Sequence, residues 1–247
     1  MAKRHYGMKY YRDYKINYRD LDDTMHLRLV ALEEYLLETA GSVADYLGFG
    51  VHALHQRGYT WVVTTFAIEV SSLPTIGDKL HVETWIESLT HGLSVRNFRL
   101  FVGNEQIGQA RSVWTVIDLT KRELASIFAD PIFDGCVDGE PLPISRAQRV
   151  KGLLEGTQQP YTIRYSDLDY NKHCNSCKYL QMMLDAARPD LTNFYAGNQR
   201  LRLDIQYLRE VHLNEKVTLI FNTEQNYQYQ LLTPDGLLSC SAIITIE

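Results

Sequence analysis

Four cysteines in 247 residues, at positions 136, 174, 177 and 240, are too few and too unevenly spaced for a disulfide framework. They point to a reducing compartment, so a cytoplasmic protein is expected. A basic excess is also missing, since 25 Lys and Arg face 30 Asp and Glu for a net charge of −5. Such a chain has no overall attraction to nucleic acid or to an anionic membrane. No apolar run approaches the roughly 18–20 residues of a membrane span. The start, MAKRHYGMKYYRDY, is basic but leads into no apolar stretch, so no secretory signal is expected. There is no G-x-S-x-G elbow, P-loop, G-x-G-x-x-G or H-E-x-x-H. The motif-bearing serine-hydrolase, nucleotide and zincin classes are set aside.

What the chain does contain is an internal repeat. Residues 14–26 read YKINYRDLDDTMH and residues 161–173 read YTIRYSDLDYNKH, an offset of 147. Tyr14, Ile16, Tyr18, Asp20, Leu21, Asp22 and His26 recur as Tyr161, Ile163, Tyr165, Asp167, Leu168, Asp169 and His173. A second stretch, FAIEVSSLPTIGDKLHVET from Phe66, matches LDIQYLREVHLNEKVTLIF from Leu203 at an offset of 137. Repeats of this length are too long for solenoid units and read as duplicated domains.

Each copy has the same order of elements. In the first, a strand over 10–19 precedes a long helix beginning near Leu27, with Leu29, Leu32, Leu36, Ala40, Val43 and Leu47 on one stripe. Gly48 and Gly50 end that helix. Strands are expected over 59–70, 79–88, 93–102 and 106–118, rich in Val, Ile, Thr, Trp and Phe. The second copy expects a strand over 159–164 and a helix with Cys177, Leu180, Leu184 and Ala187 on one face. Strands near 201–208, 216–222, 227–232 and 237–246 follow. A curled antiparallel sheet round a long helix is the hotdog arrangement, so the expected class is α+β, a tandem (double) hotdog. The expected boundaries are 1–134 for the first hotdog, 135–158 for a proline- and glycine-bearing linker, and 159–247 for the second.

The chemistry-bearing residues gather at the end of the first strand of copy two, in Asp169-Tyr-Asn171-Lys-His173-Cys-Asn175. Asp169 and His173 have the counterparts Asp22 and His26, but Asn171 faces Thr24, Asn175 faces Arg28 and Glu210 faces Leu73. Leucine in place of a carboxylate removes any acid–base role, so copy one keeps the scaffold without the site. Asp20 and Asp167 read instead as turn residues needed by both copies. Glu210 stands among Tyr207, Leu208, Val211 and Leu213, where an unpaired carboxylate is expected to be costly.

The segment RYSDLDYNKHCN resembles the D-x-N-x-H-x-N signature of the acyl-acyl carrier protein (acyl-ACP) thioesterases. The resemblance extends to the element order, to Gly58-Tyr-Thr-Trp61 and to Tyr207-Leu-Arg-Glu210. It implies Asp169, Asn171, His173 and Glu210 as the catalytic set, with no cofactor and no metal. It also implies that copy one supplies much of the acyl-chain pocket. Hydrolysis of a thioester needs an oriented water, a base and an oxyanion donor. Glu210 or Asp169 can be the base, and the helix start after His173 can serve the oxyanion.

The implied partner is an acyl carrier protein bearing an acyl-phosphopantetheine, with no nucleic acid and no membrane. Because that partner is acidic, a local basic patch is needed, drawn from Arg146, Arg149 and Lys151 or from Lys172, Lys178, Arg188, Arg200, Arg202 and Arg209. An acyl-CoA thioesterase on the same scaffold is the alternative. A hydratase and a non-catalytic acyl-thioester sensor are weaker rivals. Cys174-Asn-Ser-Cys177 has a redox or zinc spacing, but its counterparts Leu27 and Val30 mark these as apolar structural positions. Some members of the family carry a cysteine after the glutamate, where this chain has Val211.

Overall fold

The computed structural model describes residues 8–197 and 199–247; the basic start over residues 1–7 and Asn198 lie outside the described residues. Two compact units emerge, one within Met1–Thr64 and Leu73–Ile144, the other within Thr65–Ser72 and Ser145–Glu247.

The first unit contains β1 (Tyr10–Lys15), α1 (Leu29–Tyr46), α2 (Val51–Gln56), the start of β2 (Tyr59–Val70), β3 (Lys79–Thr90), β4 (Leu93–Val102) and β5 (Glu105–Asp118). Its strand order is β1-β3-β4-β5-β2. Both β1 and β4 pair antiparallel with β3, and β5 pairs antiparallel with β4. Leu29, Leu32, Leu36, Ala40 and Val43 are all buried, so the apolar stripe of α1 is its core face. Truncating one of those leucines to alanine costs about 2–5 kcal/mol. Tyr14 ties β1 to that helix, its hydroxyl 3.1 Å from the Tyr35 carbonyl oxygen and 2.9 Å from Thr39 Oγ1. Gly48 ends the helix at φ 84°, and a Cβ on Gly50 would overlap the Asp45 side chain.

The second unit holds β6 (Thr157–Thr162), α3 (Ser176–Ala186), α4 (Thr192–Tyr195), β7 (Leu201–Tyr207), β8 (Lys216–Asn222), β9 (Tyr227–Leu232) and β10 (Leu238–Ile246). Its order is β7-β10-β9-β8-β6, the first unit's order read in reverse with each strand replaced by the one at the same place in the second copy. Residues Thr65–Val70 of β2 add to it antiparallel to β7. Each unit is therefore a hotdog, and the chain is a tandem α+β hotdog.

The end of β1 differs from the sequence expectation for a local reason. β1 stops at Lys15 because Asp20 Oδ2 accepts the Asn17 N–H at 2.8 Å, closing a short 3-10 turn over Tyr18–Asp20. Tyr18 consequently projects into solvent rather than sharing the face of Tyr14 and Ile16. The short helices α2 and α4 have no period long enough to be read from the sequence.

Residues 125–144 lie along the first unit. The indole N–H of Trp85 donates to the Glu140 carbonyl oxygen at 2.7 Å, and Arg111 reaches the Leu142 and Ile144 carbonyl oxygens at 3.0 and 2.8 Å. Within the second unit, Gln230 brackets residues 152–154 by bonds to the Gly152 carbonyl oxygen and the Leu154 N–H. No helix among the described residues is long and apolar enough to cross a membrane.

Candidate active site

The loop between β6 and α3 is built by one aspartate. Asp169 Oδ1 accepts the backbone N–H of Asn171 at 2.8 Å and of His173 at 3.2 Å. The main chain closes the same loop, with the Asp169 N–H donating to the His173 carbonyl oxygen at 2.8 Å and Lys172 in the left-handed region at φ 65°. Short Asp side chains favour such turns because they bond backbone donors two to four residues on. Asn175 then caps α3, its Oδ1 accepting the Cys177 N–H at 2.9 Å.

The loop is fastened to the segment after β7. The Cys174 N–H donates to the Val211 carbonyl oxygen at 2.9 Å, and His173 forms an antiparallel bridge with His212. Val211 is fully buried, while Glu210 and His212, on either side of it, are exposed. Extended backbone alternates faces, so Glu210 and His212 share the side that meets His173. His173 Nδ1 lies 3.2 Å from Glu210 Oε1, and the two imidazoles meet edge to face at 5.0 Å between centroids. The Glu210 and His173 side chains are 35% and 20% exposed, so this pair sits at the surface and contributes only about 0–1 kcal/mol to stability.

Asp169, Asn171 and His173 thus stand on one loop, and Glu210 comes to His173 from the strand end. The cost expected of a carboxylate among apolar neighbours does not arise. β7 ends at Tyr207, and Leu208 and Leu213 are themselves 48% and 44% exposed. The helix start also offers fewer donors to an oxyanion than expected, because the cap takes the Cys177 N–H and the Lys178 N–H bonds the Asn175 carbonyl oxygen. Asp20 and Asp167 are buried turn residues, each accepting a backbone N–H three residues earlier at 2.8 Å.

His212 escaped the sequence reading, although a signal existed. It stands opposite Thr75 in the second repeat alignment, a change to a titratable side chain beside the Leu73-to-Glu210 change. Arg202, a candidate for partner contact, is engaged internally by Glu69, by Asp204 at 2.8 and 2.9 Å and by the Ser145 and Arg146 carbonyl oxygens. Cys174 and Cys177 are buried, and burial pushes the Cys174 thiol up to about 12, with Asp167 and Asp169 adding to the shift. A thiol in that state is no nucleophile at neutral pH.

Comparison with known proteins places this arrangement. The crystal structure of an acyl-ACP thioesterase from Bacteroides thetaiotaomicron superposes with a TM-score of 0.85 and 27% identity, over 97% of this chain and 98% of that one. The 12:0-ACP thioesterase of Umbellularia californica, at 19% identity, shares the fold with a TM-score of 0.78 over 98% of each chain. The protein is therefore of the tandem-hotdog class that these thioesterases share. More narrowly, the chain belongs to the acyl-ACP thioesterase family. The family's N-terminal domain model matches residues 7–134 and its C-terminal domain model matches residues 151–240. Among curated relatives, a chloroplastic palmitoyl-acyl carrier protein thioesterase of Arabidopsis thaliana is 28% identical over 199 residues, 75% of this chain and 46% of that protein. A chloroplastic acyl-[acyl-carrier-protein] hydrolase of Cuphea viscosissima is 28% identical over 231 residues, 85% of this chain and 54% of that one. The chain thus spans about half the length of these curated relatives.

Proposed function

We propose that this chain hydrolyses the thioester of acyl-ACP, releasing a free fatty acid and the carrier's pantetheine thiol. The observation that carries this reading is the His173–Glu210 pair, set in a loop frame that copy one reproduces without the carboxylate. A histidine–carboxylate pair at the surface adds little stability, so its presence in one copy only is better explained by chemistry than by folding.

Glu210 is the general base, taking a proton from the water that attacks the thioester carbonyl. His173 holds the Glu210 carboxylate through Nδ1 and orients it toward that water. Asp169 is a positioning residue, since its Oδ1 is committed to the loop's own N–H groups, as that of Asp22 is in copy one. Asn171 supplies a neutral donor, and the positive end of α3 favours the oxyanion as the carbonyl becomes tetrahedral. Collapse of that intermediate breaks the C–S bond, and the departing thiolate takes up the proton that Glu210 received.

Acyl carrier protein is the expected partner by kinship, and exposed Lys172 and Arg200 together with half-buried Lys178 supply local positive charge on an acidic chain. The test is hydrolysis measured side by side on acyl-ACP and acyl-CoA over a series of acyl chain lengths. Preference for acyl-ACP is the expected result. Equal or better turnover of acyl-CoA at every length replaces this reading with an acyl-CoA thioesterase. Binding of both without turnover replaces it with a sensor.

A further inference from the structure

His173, Glu210 and His212 each offer one ligand atom, and these three atoms all lie within 4.8 Å of one another. We infer that the three side chains form a binding site for a zinc-class divalent cation, and that occupancy of this site holds the enzyme inactive.

The ligand set is two imidazoles and one carboxylate, a combination that suits Zn²⁺ and other imidazole-binding cations better than Mg²⁺ or Ca²⁺. Geometry supports it at two points. Bonds of 2.0–2.2 Å about a tetrahedral ion set neighbouring ligand atoms about 3.3 Å apart. The His173 Nδ1 to Glu210 Oε1 separation is already 3.2 Å. His212 needs only side-chain rotation to join them, because its backbone is fixed opposite His173 by the antiparallel bridge and by Glu215 Oε2, which accepts the His212 N–H at 3.0 Å. The alternation about buried Val211 keeps Glu210 and His212 on the same side.

Copy one makes the contrast. The same backbone bridge joins His26 to Thr75, and the same turn bond runs from the Thr75 N–H to Asp78 Oδ2 at 2.8 Å. Yet Leu73 and Thr75 replace Glu210 and His212, and the His26 ring lies 3.1 Å from Thr24 Oγ1. One histidine remains there, so a single site per chain is expected. Inhibition follows because the ion would take Glu210's carboxylate and His173's imidazole out of water activation. This part rests on the proposed hydrolysis, whereas binding of the ion does not.

The experiment is calorimetric titration of zinc chloride into the chelator-treated full chain, paired with acyl-ACP hydrolysis with and without zinc. The variant is His212→Thr, which installs the residue that copy one already holds at that place on the same backbone. His212 is exposed, so the core is untouched, and a melting curve checks the fold. Expected are one saturable equivalent, affinity reduced by at least about tenfold in His212→Thr, and hydrolysis inhibited by zinc and restored by chelator. No saturable binding, or binding unchanged in His212→Thr, overturns the site. Zinc that binds through His212 but leaves hydrolysis unchanged, or stimulates it, overturns the inhibition. Zinc binding as expected in a chain that hydrolyses no thioester sustains the site and fails the proposed function instead.

Discussion

The loop before α1 and the loop before α3 are the same backbone object carrying different side chains. In copy one, Asp22 Oδ1 accepts the Thr24 N–H at 2.8 Å and the His26 N–H at 3.4 Å, and Met25 adopts φ 65°. In copy two, Asp169, Asn171, His173 and Lys172 repeat each of these features. The anchoring bonds repeat too: the Leu27 N–H donates to the Pro74 carbonyl oxygen at 2.7 Å, as Cys174 does to Val211. What differs is the set of side chains that could touch a substrate. A loop frame can thus persist for folding alone, and shared residues such as aspartate 22/169 and histidine 26/173 do not by themselves mark a site. The unshared ones, Asn171, Glu210 and His212, mark it better.

The largest test of that contrast is at the pair itself. Glu210→Gln and His173→Ala should each lower turnover by at least about 10²-fold with the melting temperature little changed, since an exposed pair adds about 0–1 kcal/mol. Asp22→Ala and His26→Ala should lower stability more than turnover. If well-folded copy-one variants lose turnover while Glu210→Gln keeps it, the active copy has been misassigned.

Much of this was legible in the sequence because the duplication supplies its own control. The tandem hotdog followed from one strand, one long helix and four strands, written twice; the quartet came from the resemblance to the family, and two of its members, Asn171 and Glu210, also stand where the copies part. The rest depended on bonds that periodicity does not encode. The closure of residues 17–20 by Asp20 shortened β1, and the exposure of Glu210 followed from where β7 stops. His212 was hidden for another reason: a lone histidine beside a buried valine has no pattern until the bridge to His173 sets the rings together. Arg202 appeared free in sequence because Glu69 stands beside it only once β2 and β7 pair, while Asp204 meets it two residues along β7 itself.

A second experiment sharpens the comparison by attacking what the copies share. Asp22→Ala and Asp169→Ala each strand two backbone N–H groups of one loop, so each should cost about 1–2 kcal/mol, a drop of a few degrees in Tm. Turnover should fall only for Asp169→Ala, through displacement of Asn171 and His173. Equal turnover in the two variants would mean that loop geometry in copy two is not limiting, contrary to the positioning role given to Asp169.

Charge near the loop also differs between copies: Lys172 and Lys178 stand where copy one has Met25 and Ala31. Lys172→Glu and Lys178→Glu should raise the KM for acyl-ACP several-fold while sparing a short acyl-pantetheine, because only the carrier protein brings a field of negative charge. Raising salt from about 50 to 200 mM shortens the Debye length from roughly 14 to 7 Å and should weaken the same step. Parallel changes in both substrates would assign these lysines to the pantetheine site rather than to the carrier.

The smallest effect is expected at Cys174, and its smallness is informative. Its counterpart Leu27 is fully buried and occupies the same anchored position, so the copy-one frame already works with an apolar side chain there. Burial raises the thiol's pKa, so the reactive thiolate forms only as pH approaches about 12. Very little of Cys174 is therefore thiolate at pH 8, too little for brisk alkylation. Iodoacetamide at pH 8 should therefore leave Cys174 unmodified by peptide mass analysis, and Cys174→Ala should hydrolyse acyl-ACP at close to the parent rate. Fast labelling of Cys174 that is protected by substrate, together with loss of turnover in a well-folded Cys174→Ala, would put a sulfur nucleophile next to His173. Water attack driven by Glu210 would then have to be given up for the first step, because a Cys174 thiolate would attack the thioester carbonyl in place of the water.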